Sequence, residues 1–196
     1  MPNIVKTKLK VQFLEEKELD RLQTAIENNN LLHTYIPIPE KMIPIPAWST
    51  SNNSRPEITQ RETLQNLNLV LTGYRNESDF IKRRWGTKWD IYPGAKVNRL
   101  DCYNLTTVIE TAWDAPIPLF MYLSGLGMKI DALFIDEVPN FIGFYNTFDG
   151  SQYLEINQHS ELPKPKNGPR DIFNRFKNEM NFDVFEHVEA ESPRVY

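Results

Sequence analysis

The stretch IVKTKLKVQF, Ile4 to Phe13, sets Val5, Thr7, Leu9, Val11 and Phe13 against Lys6, Lys8, Lys10 and Gln12. A period of two places successive side chains on opposite faces, so this is a strand with one apolar and one basic face. A helical period follows at once. Leu19, Leu22, Ala25 and Ile26 form one stripe between Glu15 and Asn28, with acidic residues in the first turn where they favour the helix dipole. A half-apolar strand running into an amphipathic helix is the start of an α+β layer, in which the helix covers the apolar face of a sheet.

Residues 35–97 are of another kind and read as an insertion between the first helix and the second strand. Pro37, Pro39, Pro44, Pro46 and Pro56 exclude regular helix between Tyr35 and Pro56, and Ser49 to Ser54 is polar turn material. Ile36, Ile38, Ile43, Ile45 and Trp48 are apolar enough to tie this segment down. Helices are expected over Thr59–Leu69 and Ser78–Trp85, with Ser78 as the second N-cap. Gly86 in WGTKWD, Trp85 to Asp90, ends the pattern.

Beyond the insertion, Asn98 to Trp113 reads as a hairpin turning near Asn104. Cys102 is then a buried, inert thiol in a strand-like run. Asp114 caps a short helix carrying Pro116, Leu119, Phe120, Tyr122 and Leu123, stopped at Gly125 or Gly127. Strands follow at Lys129–Val138 and Phe141–Phe148, with an edge strand at Tyr153–Ile156. After a proline break, a helix is expected over Arg170–Asn181, and residues 183–196 form an acidic, frayed tail. The order is ferredoxin-like βαββαβ, with a proline-rich and helical insertion and an appended C-terminal strand and helix, in one domain of 196 residues.

Composition narrows the function classes. Twenty-two basic against 26 acidic residues give a net charge of -4, too mild for a general nucleic-acid binder or a DNA mimic. One cysteine excludes an internal disulfide and a thiolate zinc site. His33, His159 and His187 are scattered, so no metal is expected, and GxxxxGK[ST], GxGxxG and GxSxG are all missing, so neither a cofactor nor a catalytic residue is assigned. The start, MPNIVKTKLK, has no apolar h-region, and no run approaches the roughly 20 apolar residues of a membrane span. A cytoplasmic protein without a membrane partner is the expectation.

Several blocks resemble a family of small phage- and plasmid-encoded proteins, the YubB-like proteins with a ferredoxin-like domain. They are the initial MPN, RRWGTKWD (Arg83 to Asp90), ETAWDAPIP (Glu110 to Pro118) and EVPNFIGFY (Glu137 to Tyr145). The blocks run in order through roughly residues 80 to 150. Asp114-Ala115 stands where the family has Ser-Pro, and the proline-rich stretch finds no counterpart. The resemblance implies a mobile-element origin, in a bacterial host, and a ferredoxin-like fold; it carries over no catalytic residue.

Three candidate sites stand out, each beside a plainer reading. Trp85, Lys88 and Trp89, with Arg83 and Arg84, form an aromatic and basic surface suited to a protein partner; equally, the tryptophans anchor the insertion to the sheet. The first strand of a ferredoxin-like sheet is central, so Lys6, Lys8 and Lys10 on its open face are a basic platform for nucleic acid; the plainer reading is a solvated face, or lysines that guard a sheet edge against aggregation. Asp90, Glu110 and Asp136 offer acid–base chemistry on a nucleotide or sugar only if two of them share a cleft. Otherwise Glu110 pairs with a lysine of the first strand. The leading expectation is an accessory protein that binds a host protein without catalysis.

Overall fold

The computed structural model describes residues 3–46, 55–138, 140–155 and 176–180. Strand β1 (Ile4–Gln12) leads into helix α1 (Glu16–Glu27) and the short α2 (Leu31–Tyr35). An irregular run to residue 46 precedes α3 (Arg55–Thr72) and α4 (Glu77–Arg84). Then come β2 (Val97–Asp101), β3 (Asn104–Ala112), α5 (Ile117–Gly125), β4 (Lys129–Asp136), β5 (Phe141–Asn146) and β6 (Gly150–Glu155). A π-helical turn, Phe176–Met180, is the last described element. The chain is thus α+β, built on a six-stranded antiparallel sheet in the order β2-β3-β1-β4-β5-β6.

The alternation of β1 is used on both faces. Val5, Leu9 and Val11 point toward the helices and are buried. There Leu9 and Val11 join Leu19, Leu22 and Ile26 of α1, Leu31 and Leu32 of α2, Phe80 of α4, and Leu119, Phe120 and Leu123 of α5, while Val5 packs with Ala115 and Phe134. Each fully buried leucine contributes about 2 kcal/mol through its apolar area, so this helix-side core carries the fold. The register sets Lys6 opposite Glu110 and Ile135, Lys8 opposite Val108 and Leu133, and Lys10 opposite Thr106 and Asp131. Directly opposed residues share a face, so these side chains line the side of the sheet away from the helices.

Helix ends depart from the sequence expectation in ways that local chemistry explains. Asn76, not Ser78, caps α4: its Oδ1 accepts from Asp79 N at 2.8 Å, while Asp79 Oδ2 accepts from Arg75 N at 3.0 Å. The pair works like a capping box whose returning bond goes to the residue before the cap, and it outcompetes a lone serine. Asp114 does not cap α5; Pro116 occupies the N-cap position, and Asp114 Oδ1 takes Ala115 N instead at 2.7 Å. Pro116 and Pro118 carry no N–H, so fewer donors need a cap there. Helix α3 begins at Arg55, four residues before the expected start, because Pro56 falls in the first turn, where its missing N–H costs nothing.

Cys102 is exposed rather than buried. The strand ends one residue earlier, at Asp101, whose carboxylate takes Tyr103 N at 2.7 Å and both contacts from the Asn104 amide at 2.9 Å. Those bonds, the Tyr103 amide first, hold the Asp101 carboxyl below its ordinary value and fold Cys102 out into the turn. Trp48, the Ser49–Ser54 turn, the proline break and the acidic tail lie outside the described residues, as does the expected C-terminal helix apart from 176–180.

Two buried groups hold the insertion together, and one of them, Trp85, also sits in the core beneath the sheet. Trp85 is 4% exposed, and its Nε1 donates to Ile36 O at 2.8 Å. Phe80 packs edge-on against it, and Tyr74 against Phe80. Asn68 is the buried side chain among the described ones of α3. Its amide accepts from Ile43 N at 2.8 Å and donates to Ile43 O at 2.9 Å, pinning the proline-rich run to the helix. Replacing Trp85 by Phe keeps most of the apolar volume but orphans the Ile36 carbonyl. The expected loss in urea unfolding is about 1–3 kcal/mol; an unchanged midpoint would show that this bond does not hold the insertion.

Candidate functional site

Between the insertion and the end of β3 lies a groove built around Lys88. The segment 88–92 runs along the outer edge of β3, with Lys88 N donating to Ala112 O at 3.3 Å and Tyr92 N to Glu110 O at 2.8 Å. It starts from Gly86, whose φ of +77° suits glycine. A Cβ there would also stand 2.9 Å from Pro118 Cδ, so the turn is pressed against the start of α5.

Two indoles flank the Lys88 ammonium. Its Nζ lies 5.0 Å from the Trp89 ring centre and 4.6 Å from that of Trp113. Each contact is a cation–π attraction, about 0.5–1 kcal/mol where solvent reaches it. Tyr92 packs edge-on against Trp89 at 5.8 Å. Trp113 is 54% exposed and holds φ at +77°, a conformation costing about 1–3 kcal/mol in a bulky residue. Its own N–H donates to Asn3 O at 2.9 Å, which ties the strained residue to the start of β1.

Two recesses meet at this lysine. One, of about 570 Å³, is walled by Ile38, Met42, Ile43 and Pro44 to Pro46, with Arg61, Ile81 and Trp89 around it. The other, of about 330 Å³, lies between Ile81, Lys82, Gly86, Trp113 and Asp114. Ser78, Ile81 and Lys88 line both, so the recesses form one elongated groove.

The structure separates several residues that the sequence suggested together. Trp85 belongs to the core, where it serves as the insertion's anchor, and it presents no surface to a partner. Lys88 and Trp89 remain on the groove, while Arg83 pairs with Asp79 at 2.8 Å and Arg84 is exposed. The three carboxylates do not form a cluster. Asp90 accepts from the Leu32 and His33 amides at 3.0 and 2.9 Å, capping α2 from outside. Glu110 lies 3.5 Å from Lys6, on the face away from the helices. Asp136 is opposite Val5 and so on the helix side, buried, with Asn3 and Asn140 donating to its Oδ2 at 3.4 and 2.6 Å. The lysines of β1 are also engaged, Lys6 by Glu110, and Lys8 and Lys10 by Glu179. Among the described residues no group of three or more histidine, cysteine, aspartate and glutamate side chains could hold a metal ion. No helix of the described residues is long and apolar enough to cross a membrane.

Sequence reasoning missed Trp113 as a groove residue, because the adjacent Asp114-Ala-Pro read as a helix start. It also missed Ile81 and the wall from Ile38 to Pro46, which the Asn68 clamp on Ile43 and the core packing of Ile38 and Met42 hold beside Lys88.

No family model matches this chain, and no curated protein does. Its coordinates are similar to a crystal structure of protein api92 from Yersinia pseudotuberculosis, of the DUF1281 family, with a TM-score of 0.44 and 12% identity over 79% of this chain and 98% of that one. A likeness at that level carries no argument about this chain.

The strain at Trp113 is separable from its ring. Trp113→Gly and Trp113→Ala both remove the indole, but glycine accepts the positive φ. We expect the glycine variant to be the more stable of the two by about 1 kcal/mol in urea unfolding; equal stability would show that the backbone there relaxes.

Proposed function

We propose that this chain is a non-catalytic accessory protein, of the kind phages and plasmids encode, that grips an extended segment of a host protein in the Lys88 groove. On this reading the β1-to-β4 portion is a ferredoxin-like βαββαβ unit: β2-β3-β1-β4 is the strand order of that arrangement, with β5 and β6 added at one edge.

The observation that carries the reading is the exposed, strained Trp113 held in register with Trp89 by one ammonium. A bulky residue kept at positive φ on the surface is a conformational cost that core packing does not explain, and such costs concentrate at binding sites. An exposed tryptophan, Trp113, beside a half-buried one, Trp89, at the edge of a recess is the kind of anchor that dominates protein interfaces. Two adjoining recesses on either side of a cation suit a peptide that sets apolar or proline side chains into each and a carboxylate or carbonyl on Lys88.

The test is affinity capture of the tagged full chain from bacterial lysate, with and without nuclease, in wild-type, Trp89→Ala and Trp113→Gly forms whose folding is checked by circular dichroism. We expect a stoichiometric protein that survives nuclease and whose affinity falls roughly 30-fold or more with either variant, as for an interface anchor of about 2 kcal/mol. A partner retained equally by the folded variants, or one lost with nuclease, would overturn the assignment.

A further inference from the structure

The lysine face of β1 is occupied by the chain's own π-helical turn. Lys10 Nζ lies 2.6 Å from Glu179 Oε2, Lys8 Nζ lies 4.0 Å from the same oxygen, and Lys8 also donates to Glu179 O at 2.9 Å. Two cations on a central strand thus converge on one carboxylate. Beside them, on the same face, Leu133 and Phe144 are buried and paired across β4 and β5.

The charge balance shows what this surface selects. Lys6, Lys8, Lys10 and Lys129 lie on it, against Glu110, Asp131 and Asp101 of the sheet. Without Glu179 the sheet strands keep an excess of one positive charge, taking four lysines less three carboxylates. The surface also extends past the turn. A recess of about 230 Å³ opens beside Lys10 and Lys129, rimmed by Leu100 and by Phe148, which is 78% exposed. The Glu179 turn fills the lysine end of this surface.

We propose that this face is a docking surface for an acidic, amphipathic segment of a partner protein, and that the Glu179 turn is its internal occupant, closing the site until the partner displaces it. The carboxylate on Lys8 and Lys10 is the position the partner's acidic residue takes. An apolar residue of the partner fills the recess between Leu100 and Phe148. The proposal is independent of the Lys88 groove, which opens on other elements.

The probe is a fluorescent peptide of this chain's own residues 170–185, titrated onto the full chain at low salt. In the wild type the tethered turn competes at a high effective concentration, so binding is weak. Glu179→Gln removes both ion pairs of the competitor but leaves the peptide's own glutamate, and about tenfold tighter peptide binding is expected. Adding Lys8→Gln and Lys10→Gln to that variant abolishes the gain. Equal affinity for wild type and Glu179→Gln, or a gain that survives loss of both lysines, would overturn the proposal. So would a Glu179→Gln chain that takes up a single-stranded oligonucleotide and ignores the peptide.

Discussion

One indole hydrogen bond decides where the groove lies. Trp85 reaches from the end of α4 to the carbonyl of Ile36, where the chain leaves α2 for the insertion. It is buried, so losing the bond would leave a carbonyl without water. Beyond Gly86, the Lys88 and Tyr92 amides donate to Ala112 O and Glu110 O and lay the following segment along the edge of β3. The Asn68 clamp on Ile43 then brings the proline-rich wall up to Lys88 from the other side. The groove is what remains between two segments that are each fixed to the core.

The two faces of the sheet solve different physical problems. On the helix side, ordinary apolar burial suffices. On the other side, three lysines alternate along a strand in the middle of the sheet, next to Leu133 and Phe144. Cations so placed need partners, and they find them in Glu110 and Glu179.

Much of the fold was legible, for identifiable reasons. β1 and α1 are long and strongly periodic, and their ends fall within a few residues of the expected ones. The pairing of Glu110 with a β1 lysine followed from strand alternation alone. Cys102 misled because RLDCY continues an alternating pattern that Asp101 breaks by side-chain bonds two and three residues ahead. The Asn76–Asp79 capping box was readable from its spacing and was outweighed by a serine two residues on. Trp85 and Trp89 looked equivalent in WGTKWD, yet one lies in the core and the other on the groove, because the intervening glycine turn reverses which side the chain presents. Trp113, Asn68 and Glu179 had no local signal: each acts on residues far away in the chain.

The central claim is that the surface between Trp89 and Trp113 meets the partner. The most direct measurement is photo-crosslinking in bacterial lysate from a benzophenone amino acid placed at position 82, where exposed Lys82 lines the groove and both tryptophans are kept, with position 14 as control; Leu14 is exposed and follows the end of β1 farthest from Asn3 and Trp113. The account predicts one discrete protein adduct from position 82 and none from position 14. Adducts of equal yield from both positions, or from position 14 alone, would contradict it.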